Sequence, residues 1–105
     1  MTDYRKVSES PITQGISEEI AYQFDFGAIG TPSSPVVTLR KLTGYKNKGY
    51  NLGDEVTVTG AASVLLNVVT TGVVSGLEAK HGYRLSCYAD VDSNYIELYV
   101  DIWGE

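Results

Sequence analysis

The chain has 105 residues, of which eight are Lys or Arg and thirteen are Asp or Glu, so its formal net charge at pH 7 is −5. This length predicts one domain with its own hydrophobic core, and the acidic balance argues against nucleic acid and anionic membranes as partners, because both are bound through clustered cations. The single cysteine excludes a disulfide within the chain. No run approaches the ~20 apolar residues of a membrane span, and no apolar signal-peptide segment is visible at the start.

The first 17 residues are polar, contain Pro11 and Gly15, and follow neither a helical nor a strand period. This composition predicts a flexible N-terminal arm over 1–17, followed by a folded domain over 18–105. An alternative is an arm that becomes ordered against a neighbouring subunit.

Aromatic and polar residues alternate over 18–26, which predicts the first core strand. The glycines and prolines of 27–35 predict a connection, because proline cannot donate to a strand ladder. A second strand is predicted over 36–42, with Val37 and Leu39 facing inward.

The long segment 43–54 contains three glycines and predicts a loop. Its possible ligand-binding residues are Tyr45, Lys46, Lys48 and Tyr50. Tyrosines beside lysines would suit a sugar or a peptide, through stacking and hydrogen bonding. The alternative is a mobile surface loop without a ligand.

Further short strands are predicted over 55–59, which places Val56 and Val58 inward, and within the apolar stretch 64–74. With the strands that follow, the chain then has about seven short strands and no segment of helical period, which predicts an all-β, two-sheet antiparallel sandwich. The expected core residues are Tyr22, Phe24, Val37, Leu39, Val56, Val58, Leu77, Tyr83, Leu85, Cys87, Leu98 and Val100.

Strict alternation over 83–90 and again over 95–103 predicts a β-hairpin with a four-residue turn at 91–94. Two registers satisfy the requirement that opposed side chains share a face. One register pairs Arg84 with Asp101 and Tyr88 with Glu97, and the other pairs Arg84 with Tyr99 and Tyr88 with Tyr95.

Either register leaves an aromatic group on the side of the hairpin that faces away from the core. The predicted partner-binding residues are Arg84, Tyr88, Tyr95, Tyr99 and Trp103. Such aromatic residues with an arginine are typical of the centres of protein interfaces. Two alternatives are that the tyrosines only stabilise the sheet, or that Trp103 folds under the sandwich.

Residues typical of catalytic or metal sites are sparse. His81 is the only histidine, and Cys87 lies on the inward face, where a thiol behaves as a small hydrophobe. The run Asp90, Asp92, Asn94 partly matches a calcium loop, but turn residues of a hairpin explain it better. We therefore expect no enzyme activity, no metal and no cofactor.

The sequence GLEAKHGYRLSCYA, which contains Leu77 and Tyr83, resembles the corner between strands E and F of fibronectin type III and related immunoglobulin-like domains. In those domains the corner tyrosine bonds to backbone upstream. The resemblance implies an immunoglobulin-like sandwich with a tyrosine corner.

A wider resemblance covers most of 18–105. The segment EEIAYQFDF, a Gly/Pro/Ser-rich connection, paired valine-rich strands and the final corner are similar to small immunoglobulin-like proteins of phage and prophage structural gene clusters. This resemblance implies a virion-associated or assembly protein without enzymatic activity. Its expected partners are itself or other virion proteins, and its expected location is the virion or the host cytoplasm.

Overall fold

The computed structural model describes residues 3–6, 12–27, 29–43 and 51–105, and every regular element in these ranges is a β-strand. In chain order the strands are β1 (Asp3–Lys6), β2 (Ile12–Gln14), β3 (Ile20–Asp25), β4 (Ser33–Thr43), β5 (Asn51–Val56), β6 (Ser63–Leu65), β7 (Val68–Val74), β8 (Gly82–Val91) and β9 (Asn94–Gly104). The predicted all-β class is confirmed. Within these ranges no helix is long and apolar enough to cross a membrane.

The strands form two sheets. One has four strands in the order β1-β3-β7-β6, and the other has five in the order β2-β9-β8-β4-β5. Neighbours are antiparallel, except that β1 runs parallel to β3 and β2 runs parallel to β9. Because alternate side chains of both sheets are buried together, the arrangement is sandwich-like.

The core contains most of the residues that alternation predicts. The fully buried ones are Tyr22, Phe24, Leu39, Leu77, Tyr83, Leu85, Cys87 and Val100. The four remaining predicted core residues are only partly buried and pack against the others: Val37, Val56, Val58 and Leu98.

Three predicted boundaries differ from the structure. β5 begins at Asn51, inside the loop predicted over 43–54, and ends at Val56, before the end of the strand predicted over 55–59. β4 begins at Ser33, inside the predicted connection, and its pairing with β8 shifts between Ser33 and Val36. The backbone irregularity includes a positive φ of 51° at Ser34 and accommodates Pro35, which has no N–H to donate. The apolar run 64–69 is divided by a turn at Leu66 and Asn67 into β6 and β7.

Two short strands lie within 1–17, where composition predicts a flexible arm. β2 pairs in parallel with the end of β9, with Ile12 opposite Ile102 and Gln14 opposite Gly104. Ile12 packs against the core and Gln14 is completely buried. A strand of three residues is too short to show the alternation on which strand prediction depends.

Gln14 connects the two sheets through the core. Its Oε1 accepts a hydrogen bond of 2.6 Å from the Tyr22 hydroxyl, and its Nε2 donates to the Val74 carbonyl at 2.9 Å. Tyr22 and Val74 belong to the four-stranded sheet, whereas Gln14 belongs to the five-stranded sheet. A buried amide is stable here because both of its polar atoms have partners.

Substitution of Gln14 by leucine should lower the free energy of unfolding by about 1 to 3 kcal/mol, because it removes the buried hydrogen bonds that Gln14 makes to the Tyr22 hydroxyl and the Val74 carbonyl. Urea titration of the wild type, Gln14→Leu, Tyr22→Phe and the double variant measures this. The two substitutions should be clearly non-additive, since they remove the same hydrogen bond. An unchanged unfolding midpoint for Gln14→Leu would contradict the assignment.

Candidate partner-binding face

The β8–β9 hairpin is the longest continuous pairing in the described structure. Opposed residues run without a register shift from Gly82 and Trp103 to Val91 and Asn94. The turn contains only Asp92 and Ser93, whose φ angles are 49° and 71°. Two positive φ angles are the signature of a type I′ turn, whose twist matches that of the strands. The turn is thus two residues shorter than the sequence predicts.

This turn selects the first of the two predicted registers. Arg84 lies opposite Asp101, and Tyr88 lies opposite Glu97. The alternating residues 83 to 91 of β8 and 96 to 102 of β9 face the core, so their neighbours face outward. We call the outward group of Arg84, Tyr88, Tyr95, Tyr99 and Trp103 the aromatic face.

Arg84 forms the polar centre of the aromatic face. Its Nε donates to Asp101 Oδ1 at 2.8 Å and its Nη2 donates to Oδ2 at 3.2 Å. The guanidinium carbon also lies 4.3 Å from the centre of the Tyr99 ring. The hydrogen bond to Asp101 raises the pKa of Arg84 above its ordinary value. The cation is therefore fixed in place and neutralised by a forked ion pair.

Tyr88 and Tyr95 form the second group of contacts. Their rings are stacked, with centroids 5.7 Å apart and an interplanar angle of 12°. The Glu97 carboxylate, which lies opposite Tyr88, raises the pKa of the Tyr88 hydroxyl. Tyr88 is half-buried, but the outer ring surface of Tyr95 remains open.

The large side chains on β9 are the most exposed part of this face. Tyr95 is 63%, Tyr99 is 51% and Trp103 is 45% exposed. Trp103 lies opposite Gly82, and a Cβ at Gly82 would be 3.9 Å from the Trp103 ring and 3.5 Å from Leu42. Trp103 therefore lies along the outer surface and does not fold under the sandwich.

One neighbour of the aromatic face was not singled out by sequence. Val36 lies opposite Tyr88 on β4 and is 49% exposed. The outward position of Val36 could have been inferred from the inward positions of Val37 and Leu39. The contact of Val36 with Tyr88 could not have been inferred, because it depends on the pairing of β4 with β8.

The corner before β8 holds the hairpin against the rest of the core. Leu77 and Tyr83 are both buried, and the Tyr83 hydroxyl accepts a hydrogen bond of 2.8 Å from the Glu78 N–H. Gly104 is bonded on both sides, because its carbonyl accepts from the Lys80 N–H and its N–H donates to the His81 carbonyl. A Cβ at position 104 would collide with the Glu78 carbonyl, which explains why glycine ends β9.

The second predicted site, formed by Tyr45, Lys46, Lys48 and Tyr50, lies outside the described residues and stays a prediction. Elsewhere, a cleft of about 310 Å³ lies between β4, β5 and the segment 57–62. Val56 and Val58 line it, together with the backbone of Gly60. Its one carboxylate, Glu55, is exposed and 3.7 Å from Arg40.

The residues considered for metal binding or catalysis are not brought together. Burial raises the pKa of the Cys87 thiol to about 11, and His81 Nδ1 lies 2.8 Å from the Ala79 carbonyl. Asp101 bonds to Arg84, at the far end of β9 from the Asp92 turn. Within the described ranges, no group of three or more His, Cys, Asp or Glu side chains is placed to hold a metal ion.

No protein-family model, curated protein or solved structure matches this chain. The resemblance to immunoglobulin-like phage proteins therefore stays an expectation from sequence.

Replacement of Tyr83 by phenylalanine should lower the free energy of unfolding by about 1 kcal/mol or somewhat more, because the Glu78 N–H loses its acceptor. Chemical denaturation measures the change. Tyr99→Phe is the matched control, since it removes a hydroxyl from an exposed tyrosine of the same sheet and should leave the midpoint within error. Equal midpoints for Tyr83→Phe and the wild type would show that this hydrogen bond does not stabilise the corner.

Proposed function

We propose that the protein is a non-enzymatic, virion-associated or assembly protein of a phage or prophage, and that it acts through protein–protein contacts made by the aromatic face. The observation that carries the proposal is the outward exposure of Tyr95, Tyr99 and Trp103 on one strand. Tyr, Trp and Arg are the residues that dominate binding energy in protein interfaces.

Stabilisation of the sheet explains only part of this arrangement. The stack of Tyr88 on Tyr95 and the contact of Arg84 with Tyr99 each use one side of a ring. Neither contact requires rings that remain about half exposed or more, as Tyr95 and Tyr99 do. Their open surfaces are available to a partner.

The charges on the face also suit a protein partner. Arg84 and Asp101 already neutralise each other through two hydrogen bonds, so a partner can cover both without leaving a charge unpaired. Glu97, which lies opposite Tyr88, leaves a net negative rim. This rim disfavours nucleic acid and anionic membrane as the covering surface.

The strand order supports an immunoglobulin-like type. The sequential strands β3, β4, β5, β6, β7, β8 and β9 would correspond to B, C, C′, D, E, F and G of that fold. The bond between the Glu78 N–H and the Tyr83 hydroxyl would then be the tyrosine corner at the start of strand F. Both correspondences favour the resemblance to phage and prophage sandwich proteins, whose implied partners are the chain itself or other virion proteins.

The test is incorporation into virions from a host that carries the gene in its own cluster. Wild-type chain should be present in purified particles, whereas Tyr95→Ser/Tyr99→Ser should be reduced at least about tenfold, as expected for loss of interface hot spots. Quantitative mass spectrometry of the particles measures both.

Leu65→Ser/Leu66→Ser is the matched control, because it removes two exposed apolar side chains from the other sheet and its turn. It should be incorporated like the wild type. The proposal fails if the wild type is absent from virions, or if the tyrosine variant is incorporated as well as the control.

A further inference from the structure

Among the residues that the structure describes, one side of β9 has no partner strand over most of its length. β8 pairs with β9 from end to end, but on the other side β2 pairs only with Ile102, Trp103 and Gly104. Among the described residues, none pairs with that side of 94–100. An open edge of this length presents unpaired backbone groups to which another strand can add.

The tight turn determines which backbone groups point to the open side. A two-residue hairpin turn is closed by a hydrogen-bonded pair, here Val91 and Asn94. The direction of the backbone hydrogen bonds alternates along the strand, so the N–H and C=O groups of Ile96 and Leu98 point toward β8. Tyr95, Glu97 and Tyr99 direct their N–H and C=O groups away from it.

Side chains of β9 are more exposed in the part of the strand that does not pair with β2. On the inner side, Val100 and Ile102 are buried, whereas Ile96 and Leu98 are only partly buried. On the outer side, Tyr95 and Tyr99 are the most exposed tyrosines described. Both sides of the open part of β9 therefore lack the neighbour that a further strand would supply.

Two of the usual protections of an edge strand, a proline and a β-bulge, are missing from 94–101. The segment contains no proline, and its pairing with β8 contains no bulge. Its charged residues are Glu97 and Asp101, and Asp101 is engaged by Arg84. A regular apolar edge with one unneutralised charge is suited to pairing.

We propose that β9 pairs with β9 of a second copy of this chain, antiparallel and about a two-fold axis, so that the two five-stranded sheets become one continuous sheet. The inference rests on the proposed function in taking protein contact as the role of this surface. It adds the identity of one partner and the mode of contact.

Charge selects the register. Opposed residues must share a face, so the axis must pass through a residue position and not between two. An axis at Glu97 would place two carboxylates directly opposite each other, and an axis at Tyr99 would place Glu97 opposite Asp101 of the second copy. Both are unfavourable like-charge pairs.

An axis at Leu98 avoids these pairs. On the inner side, it places Leu98 opposite Leu98 of the second copy. On the outer side, it places Tyr99 opposite Glu97 of the second copy, and the two-fold axis repeats this pair. A tyrosine beside this carboxylate repeats the pairing of Tyr88 with Glu97 within the chain. Residues 95–101 overlap in this register, and the overlap ends where β2 begins at Ile102.

The first experiment is sedimentation velocity of the full chain over a wide concentration range, with variants at Glu97. The wild type should form dimers. Glu97→Pro removes an N–H that points to the second copy, and proline is tolerated where an edge N–H faces solvent. Glu97→Ala removes the same carboxylate but keeps the N–H. The dissociation constant of the proline variant should exceed that of the alanine variant at least about tenfold, which corresponds to about 1.4 kcal/mol.

A second pair of variants decides the matter if Glu97→Pro does not fold. Tyr99→Glu would oppose Glu97 of the second copy with a like charge, whereas Tyr99→Lys would oppose it with an opposite charge. Strand pairing therefore predicts a weaker dimer for Tyr99→Glu than for Tyr99→Lys. Docking through the aromatic face alone predicts equal losses, because both variants remove the same ring.

The register is tested by cysteine cross-linking in a Cys87→Ala background, which is needed because Cys87 lies opposite Leu98 within the hairpin. Leu98→Cys should form a disulfide-linked dimer on mild oxidation, whereas Ile96→Cys should not, because its copy lies several residues away along the strand. Efficient cross-linking of Ile96→Cys alone would contradict the register.

A wild type that stays monomeric at all concentrations, or equal dimerisation of Glu97→Pro and Glu97→Ala, would overturn the inference. The proposed function would survive either result if the chain still entered virions through Tyr95 and Tyr99. If the chain dimerises as predicted but is not incorporated into virions, the proposed function fails and the strand pairing stands.

Discussion

The two-residue turn at Asp92 and Ser93 fixes the register of the β8–β9 hairpin, and the rest of the described structure depends on that register. It places Arg84 opposite Asp101, which creates the forked ion pair at the centre of the outer surface. It also places every inward residue of both strands in the core. A slip of one residue would exchange the two faces, burying tyrosines and carboxylates and exposing Leu85 and Val100.

Two hydrogen bonds, one buried and one partly buried, attach this hairpin to neighbouring parts of the fold. The Tyr22 hydroxyl bonds to Gln14, which ties β2 and the end of β9 to the opposite sheet. The Tyr83 hydroxyl bonds to the Glu78 N–H, which ties the start of β8 to the corner before it. Both bonds act at the end of the hairpin opposite the turn, where the start of β8 lies beside the end of β9.

Sequence patterns predicted the parts of this structure that alternate over many residues. The strand containing Tyr22 and Phe24 and both strands of the hairpin follow directly from their period. The choice between the two hairpin registers could not be made, because it depends on the φ angles of Asp92 and Ser93. The role of Gln14 could not be found either, since a single polar residue in a polar segment carries no signal, and its partners are distant in sequence.

We propose that the outward side and the open edge of β9 are the surface through which the protein contacts its partners. Residue-resolved amide hydrogen exchange, compared between the free chain and the chain in its assembled state, tests this claim most directly. If β9 is the contact surface, exchange should slow at Tyr95, Glu97 and Tyr99, whose N–H groups point to the open edge, and should change little around the exposed Leu65 and Leu66. Unchanged exchange along β9, with new protection at 63–67, would contradict it.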